Sequence, residues 1–80
     1  MSKQILFFSA PWCGPCSQMK TMLNESIQNE LGIEIIDISQ DIEKATKYKV
    51  MSVPTFVVLK DGKEVIRKVG GTTIDDLRIM

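Results

Sequence analysis

An unbroken apolar run, Ile5-Leu6-Phe7-Phe8, is followed by Cys16, Met19, Leu23 and Ile27 at three- and four-residue intervals, then by a β-rich run from Ile33 to Ile38. A short run with no polar interruption fits a strand buried on both faces, and Ala10-Pro11 ends it. The interval pattern is the stripe of an amphipathic helix, with Gly32 as its stop. Two strands joined through a helix pair in parallel, because the crossover carries the chain back along the sheet. This β-α-β unit constrains the fold more than any other feature of the chain.

The remaining segments extend it. Ile42, Ala45 and Tyr48 mark a short second helix that ends before Val50. Thr55 to Leu59 and Lys63 to Val69 are β-branched runs separated by Asp61-Gly62, a strong hairpin signal. After Gly70-Gly71, Thr72-Thr73-Ile74-Asp75-Asp76-Leu77 has the hydroxyl and acidic residues of a helix start, with Ile74 and Leu77 facing inward. The expected order is β-α-β-α-β-β-α, an α/β fold whose four-stranded mixed sheet carries helices on both faces. Eighty residues allow one modest core, so residues 1–80 are expected to form a single domain without linker or repeat.

Composition narrows the function. An apolar content of 44% argues against disorder. Ten basic and ten acidic side chains cancel, which leaves no electrostatic footprint for nucleic acid or an anionic membrane. The first eight residues hold one positive charge, four consecutive apolar residues and no small-residue cleavage site, unlike a secretory signal. A reducing cytoplasm and a monomeric protein are expected.

The chemistry lies in Trp12-Cys13-Gly14-Pro15-Cys16, which contains both cysteines of the protein. A Cys-x-x-Cys pair between an apolar run and a helical pattern sits at the first turn of a helix. There the unpaired backbone N–H groups and the positive end of the helix dipole favour a thiolate. A stabilised thiolate is a nucleophile, and a second thiol three residues on can resolve the mixed disulfide it makes. A purely structural disulfide would close too short a loop to restrain an unfolded chain much. A zinc site needs about four ligands, and the chain has two cysteines and no histidine. Redox chemistry is the preferred reading, with no metal and no cofactor.

Ala10-Pro11-Trp12-Cys13-Gly14-Pro15-Cys16, Ser52-Val53-Pro54-Thr55 and Asp61-Gly62-Lys63 resemble thioredoxins in order and spacing, over essentially the whole chain. Thioredoxins usually begin with an extra strand and helix, so the chain resembles the trimmed core of that fold, as in glutaredoxins. The resemblance implies that Cys13 is the attacking thiolate and Cys16 the resolving thiol. The helical stripe agrees: Cys16 shares it with Met19 and Leu23, which shields its sulfur, while Cys13 sits at the exposed start. Gly14 lets a substrate backbone approach, and Pro15 suits an early helical position because its missing N–H would be unpaired anyway. Trp12 offers a flat apolar surface beside the sulfurs, although a lone Trp is more often a packing residue. By the same resemblance the Val53-Pro54 bond is cis, and the pair forms the opposite wall, with the Val53 backbone free to pair with an extended client.

Two departures from the family pattern stand out. Thioredoxins generally bury an Asp six residues before the first cysteine and pair it with a lysine on the next strand; here these positions are Phe7 and Ile35. Replacing a buried ion pair by packed apolar groups is often neutral or stabilising, but it removes the proton acceptor for Cys16. Cys16 must then lose its proton to water, to the departing Cys13 thiolate or to a group the sequence does not place; Asp37 shares a strand face with Ile35, but nothing in the sequence brings it to the sulfurs. The second departure is Gly70-Gly71 before an acidic helix start, which is similar to the glutathione-binding segment of glutaredoxins. Gly70 and Gly71 are therefore candidate binding residues, with a simple helix cap as the plainer reading.

The resemblance implies a dithiol–disulfide oxidoreductase that reduces client protein disulfides and maintains cell redox balance through electron transport. The expected electron donor is an NADPH-dependent thioredoxin reductase, and ribonucleotide reductase is a plausible client. The alternatives are a glutathione-dependent reductase and a non-catalytic accessory subunit.

Overall fold

The computed structural model describes residues 3–80; Met1 and Ser2, part of the expected 1–80 domain, lie outside the described residues. The elements are β1 (Lys3–Ser9), α1 (Gly14–Met22), α2 (Glu25–Leu31), β2 (Ile33–Asp37), α3 (Ile42–Lys47), β3 (Thr55–Lys60), β4 (Lys63–Val69) and α4 (Ile74–Ile79). The sheet order is β2-β1-β3-β4. β1 pairs in parallel with β2 and antiparallel with β3, and β4 is antiparallel to β3. The expected four-stranded mixed sheet is therefore present.

Alternation along β1 and β3 sends side chains to two separate cores, because successive strand residues point to opposite faces. Ile5, Phe7, Phe56 and Val58 face α1, α2 and α4, in one cluster with Cys13, Cys16, Met19, Leu23 and Leu77. Leu6, Phe8, Val57 and Leu59 face the other side, where Tyr48 and Val50 after α3 pack on them. Helical layers thus cover both faces. Among the described residues no helix is long and apolar enough to cross a membrane.

The single first helix expected from the stripe is two helices. α1 stops at Leu23, and Asn24 caps α2 by accepting the Ile27 N–H on its side-chain oxygen at 2.9 Å. Asparagine competes with helical backbone bonding and favours cap positions, so the break falls at this residue. The Leu23 carbonyl released by the break accepts a bond from the Gln28 side chain at 2.6 Å. The stripe still identified the core: Leu23 is buried, and Ile27 and Leu31 pack against the same cluster. Gly32 ends α2 at φ 66°, the left-handed conformation of a helix stop.

The hairpin turn has positive φ at both central residues, 52° at Asp61 and 82° at Gly62, as a type I′ turn requires. Leu59 pairs with Glu64 but Val58 with Ile66, so Val65 is the extra residue of a β-bulge.

Candidate active site

The end of β1 delivers the cysteines. After Ser9 the chain turns through Ala10-Pro11-Trp12, closed by a bond from the Cys13 N–H to the Ala10 carbonyl at 3.2 Å. Cys13 is the N-cap of α1, and its sulfur accepts the Cys16 N–H at 3.2 Å. Helix caps usually offer an oxygen here; this helix offers a sulfur. The Cys13 carbonyl starts the helical ladder by accepting the Ser17 N–H, and the Ser17 hydroxyl also donates to it. Pro15 lies in the first turn, where a missing N–H costs nothing. A developing charge on Cys13 thus meets a backbone N–H and the positive end of a nine-residue helix.

The two sulfurs are bonded to each other, with the α-carbons 5.2 Å apart. Cys13 retains 6% of its surface in solvent and Cys16 none. The difference has the expected direction, but Cys13 is more deeply set than the exposed position anticipated for it. Around the pair the structure gathers some of the anticipated residues and leaves others apart. Val53 packs against the cluster that holds both cysteines, and the Val53-Pro54 peptide bond is cis. The Val53 backbone makes no hydrogen bond with the other described residues. Pro54 is buried, and its carbonyl accepts the Gly70 N–H at 2.8 Å, which ties the Gly70-Gly71 segment to this wall. Trp12 stands 70% exposed at the rim, outside the core cluster. Gly14 and Gly71 have open space around them.

Residues 1–80 match the family model described as Thioredoxin. The chain belongs to the thioredoxin family. It is 48% identical over 66 residues to the thioredoxin of Bacillus subtilis, an overlap covering 79% of this chain and 64% of that protein. It is 39% identical over 70 residues to thioredoxin from Staphylococcus aureus, covering 84% of this chain and 67% of the relative. The chain thus spans about two thirds of the length of these bacterial relatives. The structure of Fasciola hepatica thioredoxin superposes with a TM-score of 0.81 at 38% identity, over 96% of this chain and 75% of that one.

In this thioredoxin-family chain the two positions that depart from the family pattern are neighbours. Phe7 pairs in register with Ile35 on one side and Phe56 on the other. Asp37, on the same strand as Ile35, is engaged in a turn. Its carboxylate accepts the Ser39 N–H at 2.8 Å and the Ser39 hydroxyl at 2.6 Å. The Ser39 hydroxyl first, then its N–H, hold the Asp37 carboxyl below its ordinary value, with Lys20 adding a weaker pull. Asp37 shapes the turn after β2. At the last helix the cap reading holds in geometry: the Thr73 hydroxyl oxygen accepts the Asp76 N–H at 3.1 Å.

Two residues near the site were not anticipated. Phe56 stacks on Phe7, and its place in the alternation of β3 could have placed it there. Arg67 donates to the carbonyls of Tyr48 and Lys49, fixing the loop that runs into Ser52-Val53-Pro54, while Glu64 holds its guanidinium through two bonds at 2.9 Å. Nothing local in the sequence announces a contact across 18 residues; it follows from β4 folding back beside the loop.

Proposed function

We propose that the chain, as a single domain over residues 1–80, is a dithiol–disulfide oxidoreductase that reduces disulfides in client proteins. The observation that carries this reading is the Cys13 sulfur capping α1 and bonded to the fully buried Cys16. In the reduced protein the Cys13 thiolate attacks one sulfur of a client disulfide; a mixed disulfide forms and the other client sulfur leaves. Cys16, deprotonated, then attacks the Cys13 sulfur, closes the internal disulfide and releases the first client sulfur. Two electrons pass to the client.

Trp12, Gly14, Pro15, Val53, Pro54, Gly70 and Gly71 form the client-facing rim in this reading. The unbonded Val53 backbone takes up an extended client segment as an added strand partner. Re-reduction by a thioredoxin reductase with NADPH, a cytoplasmic location, a monomeric state and a client such as ribonucleotide reductase complete the proposal; the thioredoxin name of the bacterial relatives supports them. The protein needs no cofactor of its own.

Insulin reduction tests the reading. The wild type turns over with dithiothreitol as donor, Cys13→Ser abolishes turnover, and Cys16→Ser accumulates mixed disulfides. Full retention of biological activity by Cys13→Ser would instead favour the accessory-subunit alternative. Turnover with glutathione but not with thioredoxin reductase would favour the glutaredoxin-like one.

A further inference from the structure

Cys16 has no solvent exposure and lies among hydrocarbon groups. The apolar cluster that holds it draws side chains from β1, β2, β3, α2 and α4, with Met19 from its own helix. The buried polar side chains, Ser9 and Thr55, donate to the Ile36 and Ser52 carbonyls. The charged groups those elements carry are directed elsewhere. Lys3 and Lys60 pair at the opposite end of the sheet. Glu34 is bonded to Lys44, Asp37 to Ser39, and Arg78 to Glu30 and Asp75. Lys20, Glu25 and Asp76 are exposed, as is Lys68 on β4.

Resolution nevertheless requires Cys16 to lose a proton, and burial in an apolar site disfavours its thiolate. Among the described residues no Asp, Glu, Lys or Arg side chain is buried with it. The reaction itself makes one: when Cys13 attacks, the second client sulfur departs as a thiolate beside the newly bonded Cys13 sulfur. Cys13 is the member of the pair that reaches the surface, and Cys16 is directly behind it.

We infer that the client's own leaving thiolate is the base that deprotonates Cys16. This rests on the dithiol reading above and names its substrate class: disulfides between two basic alkyl thiols held in one molecule. The Cys16 S–H proton passes to the departed client sulfur, giving a neutral client thiol. The Cys16 thiolate attacks the Cys13 sulfur, the Cys13–client bond breaks, and the first client sulfur leaves as a thiolate that takes its proton from water. Electrons and protons balance without any further group.

The test uses the reduced wild-type protein and two peptides of one sequence. One carries an internal disulfide between two cysteines. In the other, one cysteine is serine and the remaining one is bonded to thionitrobenzoate, an aryl thiolate whose delocalised charge makes it a weak base once released. Both give the same Cys13–peptide bond, followed by acid quench and mass spectrometry between pH 6 and 8. The two-cysteine adduct is expected to resolve at least tenfold faster at pH 7, with a shallow pH dependence. The one-cysteine adduct is expected to accelerate nearly tenfold per pH unit, as for a thiol deprotonated by hydroxide. Equal rates and equal pH slopes for the two adducts overturn the inference: a shallow common slope places the base in the protein, and a steep one places it in solvent hydroxide. Failure of either peptide to form an adduct on Cys13 overturns the dithiol reading itself, and this inference with it.

Discussion

The rings of Phe7 and Phe56 stack with centroids 4.6 Å apart and planes 12° from parallel, in the cluster that holds both sulfurs. They are register partners on adjacent antiparallel strands, and neither has any solvent exposure. Such a pair contributes about 0.5–1.5 kcal/mol beyond the burial of its rings. The core beneath the two cysteines therefore holds an aromatic slab, joined on its far side by Ile35.

Phe7→Asp is expected to destabilise the fold by several kcal/mol, through the lost ring and the buried carboxyl together. Burial raises the folded-state pKa of such a carboxyl, so between the unfolded and folded values the native state holds the extra proton. The penalty therefore grows as pH rises through that window and shrinks in acid. Adding Ile35→Lys in the neighbouring register position recovers part of the loss. Urea titrations at several pH values check this; an unchanged midpoint for the single variant would show that position 7 is not under this constraint.

How much of this was legible follows the range of each signal. Unbroken apolar and β-branched runs identified the strands, a 3.6-residue period the core-facing stripe of Leu23 and Ile27, and Asp61-Gly62 the hairpin, because these signals depend on neighbours a few residues away. The break at Leu23-Asn24 was missed because the stripe runs across it unbroken; only the capping preference of Asn24 marks it. The pairing of Cys13 with Cys16 was legible from a short motif, and the cis Val53-Pro54 wall from resemblance. The clamp of Arg67 on Tyr48 and Lys49 was not legible, since the β4 register that aims Arg67 at that loop is shifted by the bulge at Val65.

Gly32 is fixed by two demands at once. Its φ of 66° is one that side chains resist, and a Cβ there would lie 2.8 Å from the Lys3 carbonyl oxygen, a backbone atom. That oxygen cannot swing aside, because β1 is held beside Gly32 by the bond from the Ile5 N–H to the Gly32 carbonyl at 2.8 Å. The left-handed conformation alone costs an alanine about 1–2 kcal/mol. Gly32→Ala is expected to exceed that in thermal or denaturant unfolding, whereas Gly71→Ala, with open space around it and no positive φ, is expected to cost far less.

Removing the Arg67 guanidinium tests whether the loop before Val53-Pro54 depends on its clamp. Arg67→Met keeps the apolar stem but leaves the Tyr48 and Lys49 carbonyls to water, at a cost of about 1 kcal/mol for a half-exposed set of charged hydrogen bonds. Hydrogen exchange is expected to accelerate at Val50, whose amide closes this loop onto Ala45, more than in the centre of β1. The pairing has a pH signature. Hydrogen bonding from Arg67 holds the Glu64 carboxyl below its ordinary 4.5. Its contribution is therefore complete above that value and fades as pH falls through the depressed one. The variant's acid unfolding limb is expected to be slightly flatter than the wild type's, the effect staying small because the pair is partly exposed.

The oldest expectation about this motif is an asymmetry between its sulfurs, and the geometry makes it quantitative in kind. In the reduced protein Cys13 sits where the Cys16 N–H and the α1 dipole stabilise negative charge, at the edge of the core. Cys16 lies behind it with no exposed surface. Alkylation requires both a thiolate and access, so both factors favour Cys13. Iodoacetamide at neutral pH is expected to label Cys13 at least tenfold faster than Cys16, read by peptide mass spectrometry at short times. Unfolding in urea is expected to bring the two rates together, because helix and burial disappear at once. Equal rates in the folded protein would remove the assignment of Cys13 as the attacking sulfur. A large difference that survives in urea would place its origin in local sequence instead of the fold.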